Sequence, residues 1–139
     1  YFGEEITQFE LTETKQPQVS SDFDTKMLTE LVEMLGVNFV QENLTLFEQT
    51  MDGYIIELQQ AYRAYLQDPE LQTNVLSSAH KIKGALASVG LKRLQEIASR
   101  AQNAETEQWQ DNIANWVNLL ATEWQGEVDK LRVWLSECE

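Results

Sequence analysis

Ser77-Ser-Ala-His-Lys-Ile-Lys-Gly-Ala-Leu-Ala-Ser-Val-Gly90 holds the only histidine of the chain, His80. Stepping about 100° per residue through positions 70 to 89 as one helix puts Leu71, Val75, Ala79, Ile82, Leu86 and Val89 on one side. That is the apolar stripe of a core-facing helix. His80 then lies about 160° to 180° round from Leu71, Ile82 and Val89, pointing away from the core. The outer face carries Thr73, Ser77, Gly84 and Ala87, all small, with Lys83 one turn along and Lys81 at the flank. A core role for His80 fails on this geometry. What stays open is an idle surface residue or an exposed nucleophile.

Gly84 favours the nucleophile. A glycine inside a helix costs about 1 kcal/mol relative to alanine, and no turn or cap requires one there. Close approach by another molecule is a physical reason to keep it. With Ala87, it leaves a shallow clearing beside the imidazole. Lys81 and Lys83 edge the clearing and suit a phosphoryl group or an acidic pocket.

The rest of the chain reads as helices joined by short turns. Residues 1–21 are acidic, lack a sustained period and read as a linker or tail. Ser21 or Asp22 caps a short helix ending at Leu35, with Phe23, Met27, Leu28, Leu31 and Met34 on its apolar side and Gly36 as its stop. A long helix spans about 38–66 on Val40, Leu44, Phe47, Met51, Tyr54, Ile55, Leu58, Tyr62 and Leu66. Asp68-Pro69-Glu70 starts the histidine helix and Gly90 closes it. A shorter helix on Leu91, Leu94, Ile97, Ala98 and Ala101 ends near Gln102, with a turn and cap over 103–107. The last helix, 107–136, carries all four tryptophans and buries Trp109, Ile113, Trp116, Val117, Leu120, Trp124, Val128, Leu131 and Leu135. Nothing alternates with period two over strand length. The expected fold is all-α, an antiparallel four-helix bundle over 22–139 with a short extra N-terminal helix.

Charge bounds the partners. The 139 residues carry a net charge of −13, which argues against nucleic acid or an anionic membrane. Yet no Asp or Glu lies between Leu71 and Gln95, while Lys81, Lys83, Lys92 and Arg93 do, with Arg100 just beyond. This is either a solvated helix face or a docking field for an acidic partner. No apolar run of membrane-spanning length and no secretory leader is visible, and the chain reads as a fragment of a longer protein. The single cysteine, Cys138, fits a reducing compartment.

Other chemistries lack their parts. A lone histidine with no carboxylate at helical reach excludes a two-histidine metal site. Ser77 and Ser78 are near His80, but nothing in the sequence orients the imidazole and a convex helix offers no substrate pocket. No glycine-rich phosphate loop is present, so the domain is not expected to bind ATP or any other cofactor. A neutral imidazole can still attack phosphorus in line when a partner brings an activated phosphoryl group and its own Mg²⁺.

His80, Lys83 and Gly84, with Gly90 ten residues after the histidine, resemble the histidine phosphotransfer (HPt) signature of His-x-x-Lys-Gly and a distal glycine. The likeness covers about residues 22–135. It implies a phosphorelay intermediate of two-component signalling in the cytoplasm, at the end of a membrane-bound sensor kinase. The receiver domain of the parent kinase would donate an aspartyl phosphate to His80, and the receiver of a response regulator would accept it. Family members use Nε2, and Lys83 and Gly84 occupy conserved supporting positions. Lys81 is added from charge alone. Thr73, Ser77, Ala87, Lys92 and Arg93 are the expected docking surface, and no metal site is expected. The alternative is a non-catalytic interaction or dimerisation module whose histidine is incidental.

Overall fold

A computed structural model describes residues 23–138; the acidic segment at 1–21 lies outside the described residues. Five α-helices follow in order: α1 (Thr25–Leu35), α2 (Val37–Gln67), α3 (Gln72–Ser88), α4 (Lys92–Ala101) and α5 (Trp109–Glu137). Helix α2 packs on α3 and α5, and α4 packs on α3 and α5, closing a four-membered ring. Helix α1 is the short extra helix and lies against α2.

Side-chain pairs fix the directions. Arg132, late in α5, reaches Gln41 Oε1 (2.9 Å), Thr45 Oγ1 (3.2 Å) and Glu48, all early in α2. At the other end Tyr65, late in α2, packs edge-on to Trp109 at the start of α5, with centroids 5.6 Å apart and planes at 77°. Arg93, early in α4, pairs with Glu123 and Glu127 late in α5, while Ala101 at the end of α4 accepts from Trp109. Sequential and lateral neighbours therefore run antiparallel, as short connections require.

The core is the sum of the expected stripes. Val75, Ala79, Ile82 and Leu86 of α3 are buried against Val40, Leu44, Phe47, Met51, Ile55 and Leu58 of α2 and the apolar side of α5. All nine residues expected to face inward from α5 do so. Elsewhere, expected core residues fall short: Met34 and Leu66 are exposed, and Met27 and Leu71 are only partly buried. Met34 is 77% exposed, because α1 seats on Leu28 with Leu31 and Val32, and Met34 lies about 120° round from Leu28. Leu66 is 61% exposed, because Tyr65 takes the inward position in that turn. Leu71 is only partly buried and belongs to a 3₁₀ turn, Pro69–Leu71, ahead of α3.

The capping details also differ from the sequence pattern. Asp24 caps α1, its Oδ1 accepting from the Met27 N–H at 3.2 Å, and the expected caps Ser21 and Asp22 lie outside the described residues. The Asp68 carboxylate accepts from Glu70 N–H at 3.1 Å, which tightens the first turn into the 3₁₀ form and delays α3 to Gln72. Helix α5 begins at Trp109 and not at 107, because Gln108 adopts φ 60 and swings the chain out of the preceding turn.

Gly90 ties α1 to the bundle. Its φ is +74, and its carbonyl accepts from Asp24 N–H at 2.8 Å. A Cβ there would meet three Leu28 side-chain atoms at 3.1 to 3.3 Å. Gly90→Ala is therefore expected to cost about 2 kcal/mol, from left-handed backbone strain plus displaced Leu28, measured by urea unfolding. Glu127 is the one buried charged residue among those described, 2% exposed, with Arg93 Nε at 3.4 Å and Lys130 at 3.3 Å. Arg93→Met should destabilise by about 2 kcal/mol by removing a charged hydrogen-bond donor from a buried carboxylate. The double change Arg93→Met with Glu127→Leu should recover most of that loss in the same measurement, since no charge is then left buried.

Candidate functional site

His80 emerges where the helical period puts it. Ala79 and Ile82 on either side are fully buried, and they fix α3 so that the imidazole faces solvent. The ring is not free to turn. Its Nδ1 lies 2.7 Å from Oε1 of Gln102, twenty-two residues on. An amide oxygen only accepts, so this contact suits the tautomer whose proton is on Nδ1, with Nε2 the unprotonated nitrogen. Gln102 is the C-cap of α4, and its own N–H donates to Ala98 O at 2.9 Å. The sequence offers no orienting partner; the α3–α4 packing supplies one.

The basic residues divide among three directions. Lys81 crosses to α2, where its Nζ lies 2.8 Å from Glu57 and 5.0 Å from the Tyr54 ring centroid. The hydrogen bond it donates to Glu57, ahead of the opposing desolvation, holds its ammonium above the ordinary lysine value. Lys83 is half-buried and turns to the α4 side, where it lines a shallow depression with Lys92, Gln95, Glu96, Ser99 and Asp24. No ion pair engages Lys83 among the described residues.

Arg93, named in the expected docking surface, is partly exposed and pairs with Glu123 and Glu127 of α5. It is committed to α5, with Glu123 and Glu127 raising its already high value, Glu123 first. It is a structural cation of the α4–α5 seam, and the positive field around His80 is correspondingly narrower. Lys92, by contrast, is exposed.

Space beside the imidazole is open on the α2 side. Gly84 is exposed, and a Cβ built on it meets nothing within 4 Å. It forms part of a groove between α2 and α3 walled by Asn43, Leu46, Thr50 and Tyr54 on one side and His80, Lys81, Gly84 and Ser88 on the other. Leu46 is 61% exposed at its lip. Thr73 and Ser77 are exposed on α3 before the histidine, and Ala87 is half-buried beyond Gly84. The α2 wall was not legible from α3 alone. The spacing of Asn43, Leu46 and Thr50 by three and four residues puts them on one face of α2, but only the packing shows that this face meets His80.

Among the described residues no three of His, Cys, Asp and Glu gather as a metal site, and no helix is long and apolar enough to cross a membrane.

Comparison with known proteins agrees with this geometry. The family model described as the Hpt domain matches residues 42–134. The aerobic respiration control sensor protein ArcB of Escherichia coli K12 is 32% identical over 114 residues, 82% of this chain and 14% of ArcB. ArcB of Shigella flexneri gives the same figures. The chain thus spans about one-seventh of the length of these relatives. Two solved structures of the histidine-containing phosphotransfer domain of Escherichia coli ArcB superpose on it. One has a TM-score of 0.81 at 30% identity, covering 88% of this chain and 100% of that domain. The other, a solution structure, has a TM-score of 0.75 at 31% identity, covering 86% and 92%. With bundle, exposed histidine and relatives in agreement, the chain belongs to the histidine-containing phosphotransfer (Hpt) domain family.

Proposed function

We propose that Nε2 of His80 is the atom that carries the phosphoryl group. The domain takes it from the aspartyl phosphate of a receiver domain and hands it to the aspartate of a second receiver, that of a response regulator. Membership of the Hpt family makes the chain a phosphotransfer intermediate in two-component signalling. The observation that carries the residue assignment is the 2.7 Å contact of Nδ1 with Gln102 Oε1 on an exposed ring, which supports Nε2 as the nitrogen left for the nucleophile. By analogy with the sensor kinase ArcB, the first receiver belongs to the parent kinase and the domain works in the cytoplasm.

The step balances without a group held by this chain. The Nε2 lone pair attacks phosphorus, the N–P bond forms as the acyl P–O bond breaks, and the electron pair leaves with the aspartyl carboxylate. Mg²⁺ on the receiver neutralises phosphoryl charge when bound there. As the ring becomes cationic, the Nδ1–H bond to Gln102 strengthens. Lys83 supplies a nearby positive charge for the phosphoryl oxygens. Lys81 contributes by crossing between the two helices that wall the groove. Gly84 leaves the room into which the receiver's loops descend, with Leu46 as an apolar contact at the rim and Thr73, Ser77, Ala87 and Lys92 further out.

Incubation with a phosphorylated receiver and Mg²⁺ should put acid-labile label on the wild-type protein and none on His80→Gln. Label on His80→Gln would remove the site assignment. Receiver binding unaffected by His80→Gln, with no label on either protein, would mark the domain as an interaction module. Gly84→Leu should raise thermal stability slightly, since leucine is the better helix former by nearly 1 kcal/mol and its Cβ meets nothing within 4 Å among the described residues. The same change should lower the transfer rate at least tenfold, read by quenched-flow labelling.

A further inference from the structure

We infer that Trp109 is a positioning residue for phosphoryl transfer, acting on His80 through the backbone that carries Gln102. This rests on the assignment of His80 Nε2 as the phosphoacceptor.

Gln102 can hold the imidazole only if the end of α4 stays where it is. A helix end leaves its last carbonyls without intrahelical partners, and such ends fray unless something else takes them. Here the last turn of α4 is secured from outside. The indole Nε1–H of Trp109 donates to Ala101 O at 2.9 Å in a buried contact. Thr106 Oγ1 donates to Arg100 O at 3.2 Å, and Asn103 N–H reaches the same carbonyl at 3.3 Å. The Trp109 bond falls on the peptide that joins Ala101 to Gln102. Its donor is rigid, since Trp109 is 2% exposed and packed edge-on against Tyr65 of α2.

The chain accepts a cost to put the indole there. Gln108, just before it, holds φ 60, a left-handed conformation that costs a non-glycine residue on the order of 1–2 kcal/mol. That turn starts α5 with Trp109 aimed at α4. An apolar core needs only the ring; the N–H aimed at this particular carbonyl is the extra feature. The path from α5 to the nucleophile is then two hydrogen bonds and one peptide: Trp109 Nε1–H to Ala101 O, the Ala101–Gln102 peptide, and Gln102 Oε1 to His80 Nδ1.

The test reads the imidazole itself. Long-range ¹H–¹⁵N spectra of labelled protein distinguish the Nδ1–H from the Nε2–H tautomer of His80, independently of any phosphotransfer. Trp109→Phe should shift the tautomer ratio toward Nε2–H by about fivefold, the worth of one net hydrogen bond, and slow labelling by a phosphorylated receiver by a similar factor. Replacing Trp109 by 3-benzothienylalanine, which keeps the ring volume and puts sulfur in place of N–H, should do the same with the fold unaltered by circular dichroism. Gln102→Ala should produce the full tautomer change, and adding Trp109→Phe to it should change neither tautomer nor rate further. An unshifted ratio in the benzothienyl protein, or effects of Gln102→Ala and Trp109→Phe that simply add, would overturn the inference. Absence of label on the wild-type protein, with the tautomer changes as expected, would overturn the phosphoacceptor assignment and with it any role of Trp109 in transfer.

Discussion

Burial of Ala79 and Ile82 is the constraint from which the site follows. Both are fully enclosed, one immediately before the histidine and the other two residues after it. A helix that commits those two positions to the core has no choice about position 80, because each residue advances the direction of the side chain by about 100°. The same packing that stabilises the bundle therefore presents the imidazole to solvent. Reactivity here is a by-product of the helical period and the location of the core.

Presentation alone would leave a spinning ring. The neighbouring helix converts an exposed histidine into a directed one, and it does so with a neutral acceptor. A carboxylate in place of the Gln102 oxygen would draw the proton more strongly and favour the charged ring. An amide oxygen fixes direction without placing a negative charge beside the ring. The surrounding cations are similarly moderated: Lys81 is shared with Glu57, and Arg93 is spent on the α4–α5 seam. The field at the site is milder than the run of basic residues in the sequence suggests.

Local patterns in the sequence revealed the helices, their order and the outward face of α3, because each depends on neighbours three or four residues apart. The last helix shows this best, with every expected inward residue found inward. Failures came where a side chain's fate is decided by something distant. Leu66 yields to Tyr65 because Trp109 is waiting across the bundle, and Met34 is left out because α1 seats on Gly90 through Leu28. The site divides in the same way. His80, Lys83 and Gly84 announce themselves within five residues, whereas Gln102 and the α2 wall reach them only through packing. Glu127 is the intermediate case. Its position between Trp124 and Val128 on the buried stripe is a visible anomaly, but its partner Arg93 looked like part of another surface.

The empty volume over Gly84 has one more implication. At most buried positions the residue type reports what the interior can hold, so sequence variation there records the history of packing. Position 84 differs, since a Cβ there meets nothing within 4 Å among the described residues. Beyond helix propensity, its identity carries information about visitors. Across sequences sharing this bundle, a glycine kept at that point against its helix cost can be read as a register of partnership, since packing within the fold does not ask for it.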